Sequence, residues 1–462
     1  MLAIMREAPS TPLRTWSRRA ALIGLAGSGL SFALFGPRPA KERTDGRIVL
    51  DYWEKWTGLE GRAMQQIVAD FNASQDRIFV RYFATAGIDE KSQIAIAGGS
   101  PPDILGLWNY NLPAFAEPGA ILPLDDLGPR FNVTPSIYTP GMAEATTHKG
   151  RHYAAVNTGG TVALYYNKAH FREVGLPPPR TIEELDAPNR AHTRHERGRI
   201  TRMGFHHREP GWWVFLWGYM FGGSLYDPAA NRATLATPEN IQGYEWVRSY
   251  PREFGLQRVN DFRSTFGNYD SPLNPFLSGK LSMVIQGPWL ANMINLYAPS
   301  LEYGVVPLPV AQSIHQPQAP IGLVDTDILV IPRGVRHPEA SMEFIAYTQQ
   351  QPITEQLATV HCKPSPLATS SEGFTANHPN TGVKVFDDIA RSPRAFLVPK
   401  TRAWIQVRDE LIWVFDQSWN DKGEPKDLLA AAQQRIQRAL DAFADRERRL
   451  RASGASSGGG AA

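Results

Sequence analysis

The stretch from Arg47 to Phe83 constrains the fold more than any other part of the chain. RIVLDY at Arg47–Tyr52 alternates apolar and polar residues as a half-buried strand does. Leu59, Met64, Ile67, Val68 and Phe71 then recur on one helical face, and IFVRYF at Ile78–Phe83 reads as a second strand. Strand, helix and strand in so short a span predict parallel pairing through a right-handed crossover. The intervening Trp53-Glu54-Lys55-Trp56-Thr57-Gly58 brings two indoles, an acid and a base to the strand's C-terminal end. Ligands bind at that edge of open α/β sheets. Either this loop is a ligand lip, or the indoles pack on the helix and the Glu–Lys pair is solvated.

A similar boundary recurs in Phe276–Pro307. Leu281-Ser282-Met283-Val284-Ile285 reads as a short buried strand that stops at Gly287-Pro288, with Trp289 next. An indole at that step suits stacking on the C–H face of a sugar ring; the alternative is a Trp that caps the core. Asp103-Ile104-Leu105 is another short strand, with Trp108-Asn109-Tyr110-Asn111 at its end.

Composition removes several classes of function. A chain of 462 residues has room for two or three domains or one large two-lobed body, and a net charge of +3 gives no reason to expect nucleic acid. Cys362 is the single cysteine, which excludes internal disulfides and Cys-based metal cages. No phosphate-loop or dinucleotide pattern surrounds Gly98-Gly99, and His192 with His195 lacks the context of a metal site. We expect no cofactor, no metal and no catalytic residue. The 12 Trp, 15 Tyr and 21 Phe favour a ligand that stacks. Residues 1–40 read as an export signal: Arg18-Arg19 precedes Ala20–Gly36, which is short and Gly-interrupted for a membrane span. The arginine pair is of twin-arginine type, and an uncleaved signal would tether the protein.

Four segments, in order, carry a family resemblance: PPDILGLW at Pro101–Trp108, ALYYNKAHFREVGLPPPRTIEEL at Ala163–Leu185, FLSGKLSMVIQGPW at Phe276–Trp289 and HPEASMEFIAYTQQ at His337–Gln350. The chain resembles the extracellular solute-binding proteins of ABC sugar importers, which include the maltose- and oligosaccharide-binding proteins. The resemblance implies an α/β, two-lobed periplasmic-binding-protein fold of type II. Each lobe would be a mostly parallel sheet flanked by helices, with the ligand cleft between lobes. Residues 46–158 and 326–368 would form lobe 1, residues 159–325 and 369–445 lobe 2, and 446–462 a disordered tail. A crossing at Tyr153–Asn167 would turn Asn157 and Thr158 toward the cleft, with Gly159-Gly160 free to absorb hinge rotation.

The resemblance further implies sugar contacts at Trp108 with Asn109 or Asn111, at Trp212 or Trp213 behind Glu209-Pro210, and at Gly287, Trp289 and Trp404. Trp53, Glu54, Lys55 and Trp56 complete the lip. In IGLVDTDILVIP, Asp325 and Asp327 interrupt an apolar run and must be solvated, paired or ligand-bound, since a lone buried carboxylate is costly. Asp186–Arg199 is polar and reads as a solvated loop, and Thr359–Leu367 as a surface segment. The implied partners are a sugar or related small polar solute and the transmembrane permease subunits of an ABC importer, with the binding protein a monomer in the periplasm or another extracytoplasmic space. A polyol or glycerol-phosphate-type solute on the same fold is the alternative. A secreted carbohydrate-active enzyme is the other class, needing two carboxyl groups about 5–5.5 or 6.5–9.5 Å apart. Glu54, Asp325 and Asp327 are the acids it would draw on.

Overall fold

The structure, a computed structural model, describes residues 46–457. The chain divides into residues 1–47, of which only Gly46 and Arg47 are described, and residues 48–462, which carry all that follows. The export segment expected at 1–40 lies outside the described residues. Among those described, no helix is long and apolar enough to cross a membrane.

Strand β1 (Ile48–Glu54) runs into helix α1 (Gly58–Ser74) and strand β2 (Ile78–Ala84). The strands pair in parallel from Ile48 opposite Ile78 to Glu54 opposite Ala84. Met64, Ile67, Val68 and Phe71 are buried as their spacing predicts, whereas Leu59 in the first turn is exposed. Trp53 and Glu54 belong to β1 itself and not to the loop after it. Helix α2 (Ile88–Ala97) leads to β3 (Ile104–Trp108), parallel to β1. Strands β4 (Ala155–Thr158) and β5 (Ala163–Asn167) flank Gly159-Gly160, and each enters a different sheet.

Next come β6 (Met283–Gln286), α3 (Leu290–Tyr297), β7 (Tyr303–Val306) and β8 (Asp327–Val330). Helices α4 (Pro338–Thr348), α5 (Gln351–Val360), α6 (Trp404–Trp419) and α7 (Pro425–Ser457) follow. The first sheet has the order β2–β1–β3–β8–β4, the second β6–β5–β7. Within these two sheets, the parallel pairing expected of both lobes holds only for β1, β2 and β3. In the second sheet β6 and β7 are both antiparallel to β5. The crossover through α3 makes β6 and β7 parallel to each other with β5 inserted between them. Likewise β8 enters antiparallel between β3 and β4.

Each sheet has its own core. Leu50, Tyr52, Met64, Phe71 and Phe344 cover one face of the first sheet, and Leu105, Leu107, Phe115 and Ile328 the other. The second lobe is built on aromatic rings, among them Phe205, Trp217, Trp246, Tyr250, Phe415 and Trp419. Two expectations fail here. Asp186–Arg199 is no solvated loop: it completes a helix at Ile182–His192 and enters a hairpin of Arg194–Glu196 with Arg199–Arg202. His192 is buried against Phe171, and burial depresses its imidazole to about 4, so it is a neutral core residue. The tail expected from residue 446 instead continues α7 as far as Ser457, beginning with the good helix formers Arg446, Glu447, Arg448 and Arg449.

Candidate functional site

The site begins with one carboxylate, Glu54, fully buried at the end of β1. A Cβ on Gly106 of the adjacent β3 would lie 2.0 Å from its Oε2, so only glycine leaves room for it there. Tyr52 Oη and Asn157 Nδ2 donate to Oε2 at 2.7 and 3.0 Å, and the backbone N–H and ammonium of Lys55 donate to Oε1 at 2.8 and 3.0 Å. Asn157 reaches inward because the β8–β4 register shifts between Asp327 and Ile328, leaving it as a bulge residue.

Asp327, at the start of β8, is the hub. Its Oδ1 lies 2.9 Å from Lys55 Nζ, and its Oδ2 accepts from Lys363 Nζ at 3.0 Å and Thr158 Oγ1 at 2.7 Å. Burial alone would raise the Asp327 carboxyl, but the ammonium groups of Lys363 and Lys55 hold it well below the ordinary range. Desolvation raises Asp325 to about 6, and the charge of Asp327 pushes the same way. Glu60 is also raised, chiefly by burial and partly offset by Lys363.

Around these charges stand the indoles. Lys55 Nζ lies 5.2 Å from the ring centres of both Trp56 and Trp108, and Lys363 Nζ 5.5 Å from those of Trp56 and Trp289. Trp56 comes from the first lobe and Trp289 from the second, so one ammonium touches an aromatic face of each. A Cβ on Gly287 would fall 2.3 Å from the Trp289 ring, which folds back over that glycine. Trp213 is buried 6.1 Å from Trp289, with its indole near enough to Asp325 to offset part of the rise in that carboxyl's pKa. Trp108 stacks on Tyr110 at 5.8 Å. Asn109 is tied to the crossing backbone through Thr326, while Asn111 is buried beside Asp89, whose carboxyl its side chain helps to hold down. Trp212 is 45% exposed and stands 5.0 Å from Tyr269 beside a second-lobe cavity of about 330 Å³.

Two of the expected residues stand apart. Trp53 sits partly buried among Ile88, Leu105 and Leu107, on the sheet face opposite Tyr52 and Glu54. Trp404 is buried in the second-lobe core, edge-on to Phe215 at 5.0 Å. The sequence reading missed Lys363. Thr359–Leu367 was expected on the surface, yet His361, Lys363 and Ser365 are all buried. The signal available was a lysine between a buried-type cysteine and two prolines, which does not by itself distinguish a turn from a site.

Fold and site together define a two-lobed α/β protein with a seam of indoles and paired charges where the lobes meet. The chain belongs to the family of bacterial extracellular solute-binding proteins, whose family model matches residues 55–350. It is 22% identical over 318 residues to the maltotriose-binding protein of Pyrococcus abyssi, covering 68% of this chain but 65% of that protein. It is also 22% identical over 403 residues to the sn-glycerol-3-phosphate-binding periplasmic protein UgpB of Yersinia pestis, covering 79% and 87%. Among solved structures, CpMnBP1 with mannotriose bound superposes with a TM-score of 0.73 at 27% identity, over 84% of this chain and 100% of that one.

Proposed function

We propose that this protein is the substrate-binding component of an ABC importer, capturing a neutral sugar or oligosaccharide between its lobes outside the cytoplasm and handing it to a membrane permease. The lobes comprise residues 46–158 with 326–368 and residues 159–325 with 369–445. One observation carries the reading: Lys363 lies against Trp56 of one lobe and Trp289 of the other, so both indoles address the same point. Sugars offer apolar C–H faces to such rings and hydroxyls to Asn111, Asp325 and the lysines. Capture is closure of the hinge at Gly159-Gly160 and Asp325-Thr326-Asp327, favoured when ligand bridges the lobes. The mannotriose- and maltotriose-binding proteins that resemble this chain support the ligand class. The export signal is of twin-arginine type, the protein acts as a monomer, and it binds without catalysing.

A second reading, a glycerol-phosphate-type ligand, draws on the UgpB likeness and on two ammonium groups at the seam. Both ammoniums, however, are already held by carboxylates. A thermal-shift panel of mannose- and glucose-based oligosaccharides, polyols and phosphates decides between them. A shift with oligosaccharides is expected; shifts with phosphates alone would overturn the sugar reading, and released monosaccharide after incubation would overturn the absence of catalysis.

A further inference from the structure

The two crossings between lobes touch at Asp325. Its backbone N–H donates to Gly160 O at 3.0 Å, and Thr161 bridges Val324 beside it. A Cβ on Gly160 would fall 2.2 Å from Asp325 O and 3.4 Å from the Trp289 ring, so the crossings meet as bare backbone with an indole against them. Around this pivot the charges do not balance. Glu54 lies 3.0 Å from Lys55 Nζ, Asp327 lies 2.9 Å from that ammonium and 3.0 Å from Lys363 Nζ, and Glu60 lies 4.0 Å from Lys363. Asp325 is a fourth carboxyl facing the same two lysines. Glu54 and Asp327 take both cations at hydrogen-bond distance, which leaves Asp325 and Glu60 as the surplus. Neither surplus acid is sealed from water: the Glu60 side chain is 31% exposed, and Asp325 is only partly buried.

The groups around the two acids leave that excess in place. Asp327 faces Asp325 with like charge, while Lys363 from the segment after α5, the Trp213 indole and Lys55 from the loop after β1 oppose it only in part. From the first lobe Asp325 meets the Tyr110 phenol, beyond which Asp89 and Arg408 oppose one another. Glu60 faces Lys363, Asp327, Lys55 and Glu54, the phenol of Tyr82 and, from the second lobe, that of Tyr269. Its carbonyl meets His361, which burial depresses to about 3 and keeps neutral. The phenols and the imidazole bring no positive charge. Closing the lobes sets Trp289 beside Lys363 and Tyr269 toward Glu60, and so removes water that screens the excess. A carboxyl so placed is held nearer to neutral in the closed protein than in the open one. By linkage, whatever favours the neutral acid also favours closure.

We propose that the protein captures its ligand together with a proton, held by Asp325 at the hinge, so that capture of a neutral solute strengthens as the medium turns acidic. The proposal rests on the sugar-binding reading and adds regulation to it. Asp325 is the acceptor because it faces the like charge of Asp327, whereas Glu60 has Lys363 beside it. The sign follows from the raised carboxyl. With Asp325 at about 6 in the closed protein and at its ordinary 3.8 when open and hydrated, closure is indifferent to protons at pH 7.5. It is favoured as pH falls through 6, and the effect levels off near 3.8. Once protonated, the carboxyl offers a ligand hydroxyl a donor as well as an acceptor.

Calorimetry on the full chain with mannotriose and maltotriose, at about pH 5 and pH 7.5 in buffers of differing ionisation enthalpy, tests it. Affinity should be about tenfold higher at the acid pH, with about one proton taken up per ligand there and none at the higher pH. Asp325→Asn, which fixes the neutral form, should flatten the profile and abolish the uptake, whereas Glu60→Gln should keep both. Circular dichroism at each pH checks that every protein compared is folded, and the proton count in the parent needs no variant. Equal or weaker affinity of the parent at the acid pH, without proton uptake, overturns this inference alone. A profile that survives Asp325→Asn, or that Glu60→Gln abolishes, overturns the assignment to Asp325. Binding of neither sugar at either pH overturns the inference together with the sugar reading.

Discussion

Replacing Asp327 with alanine tests whether the seam is a dry, preorganised network or a set of solvated surface charges. Asp327 joins two lysines that are each about 5% exposed, and it is itself 9% exposed at the side chain. Its removal takes one charged hydrogen bond from each. Lys55 retains Glu54 at 3.0 Å, but Lys363 is left with the Thr158 hydroxyl at 2.9 Å and Glu60 at 4.0 Å. Hydrogen bonds to charged groups contribute about 1.5–3 kcal/mol each, and breaking a buried pair costs about 3–5 kcal/mol because one ion stays behind uncompensated. The expected loss is therefore about 3–5 kcal/mol by urea denaturation.

Adding Lys363→Met should return part of that loss, since the stranded ammonium goes with it, and the double-mutant cycle should show a coupling of at least about 1.5 kcal/mol. A loss below about 1 kcal/mol, the ordinary weight of an exposed ion pair, would refute the reasoning, as would simple additivity of the two substitutions.

Trp289→Ala is expected to weaken binding of the best oligosaccharide by on the order of 1–3 kcal/mol, by analogy with aromatic stacking on other rings; unchanged affinity by calorimetry would return Trp289 to a structural role. Trp404→Ala should instead destabilise the fold by about 3–5 kcal/mol, as expected of a core aromatic, with little change in affinity, so a normal melting curve with weakened binding would contradict its placement. Asp325 supplies a pH dependence. With its folded pKa raised to about 6 from 3.8, it opposes folding above pH 6, and this opposition fades as pH falls through 6 toward 3.8. Asp325→Asn should therefore be the more stable protein at pH 7.5, by on the order of 1–3 kcal/mol, with the advantage gone near pH 4. An advantage that grows toward acid pH would invert the sign and sink the argument.

The parts of this molecule that could be read from sequence are those in which neighbours along the chain decide the structure. Alternation in Ile48–Glu54 and Ile78–Ala84 and the face of α1 gave the first crossover, because burial of one stripe requires that periodicity. The step at Gly287-Pro288-Trp289 was legible because glycine and proline act locally. Strand direction in the second sheet was not, since Met283–Gln286 and Tyr303–Val306 are equally apolar whichever way they run. Lys363 was invisible for a related reason: its burial is compensated by Asp327, 36 residues earlier, and by Thr158, 205 residues earlier. A polar segment looks the same in sequence whether its partners are water or a buried carboxylate. Trp404 shows the converse, an indole on an amphipathic helix whose inward turn was set by Phe215 in a distant aromatic window.

The charge pattern at the seam also bears on what can enter it. Glu54 and Asp327 are the anions that answer Lys55 and Lys363, while burial raises the pKa of Asp325 and Glu60. The two ammoniums are thus fully answered by Glu54 and Asp327, and Asp325 adds negative charge above pH 6, so the network holds no spare positive charge before any ligand arrives. A phosphate would have to draw an ammonium away from Asp327 and leave that carboxylate, buried between Thr158 and a departing lysine, without its counter-charge. That exchange forfeits a buried ion pair to form another and gains little. A hydroxyl group needs no such exchange. It accepts one of the remaining ammonium protons and donates to a carboxylate, adding bonds without breaking any, while the indoles on either side take up the apolar face of the ring. On the proposed sugar-binding function, the pairing of lysine with aspartate at the seam is what would select against anions and for neutral polyhydroxyl ligands.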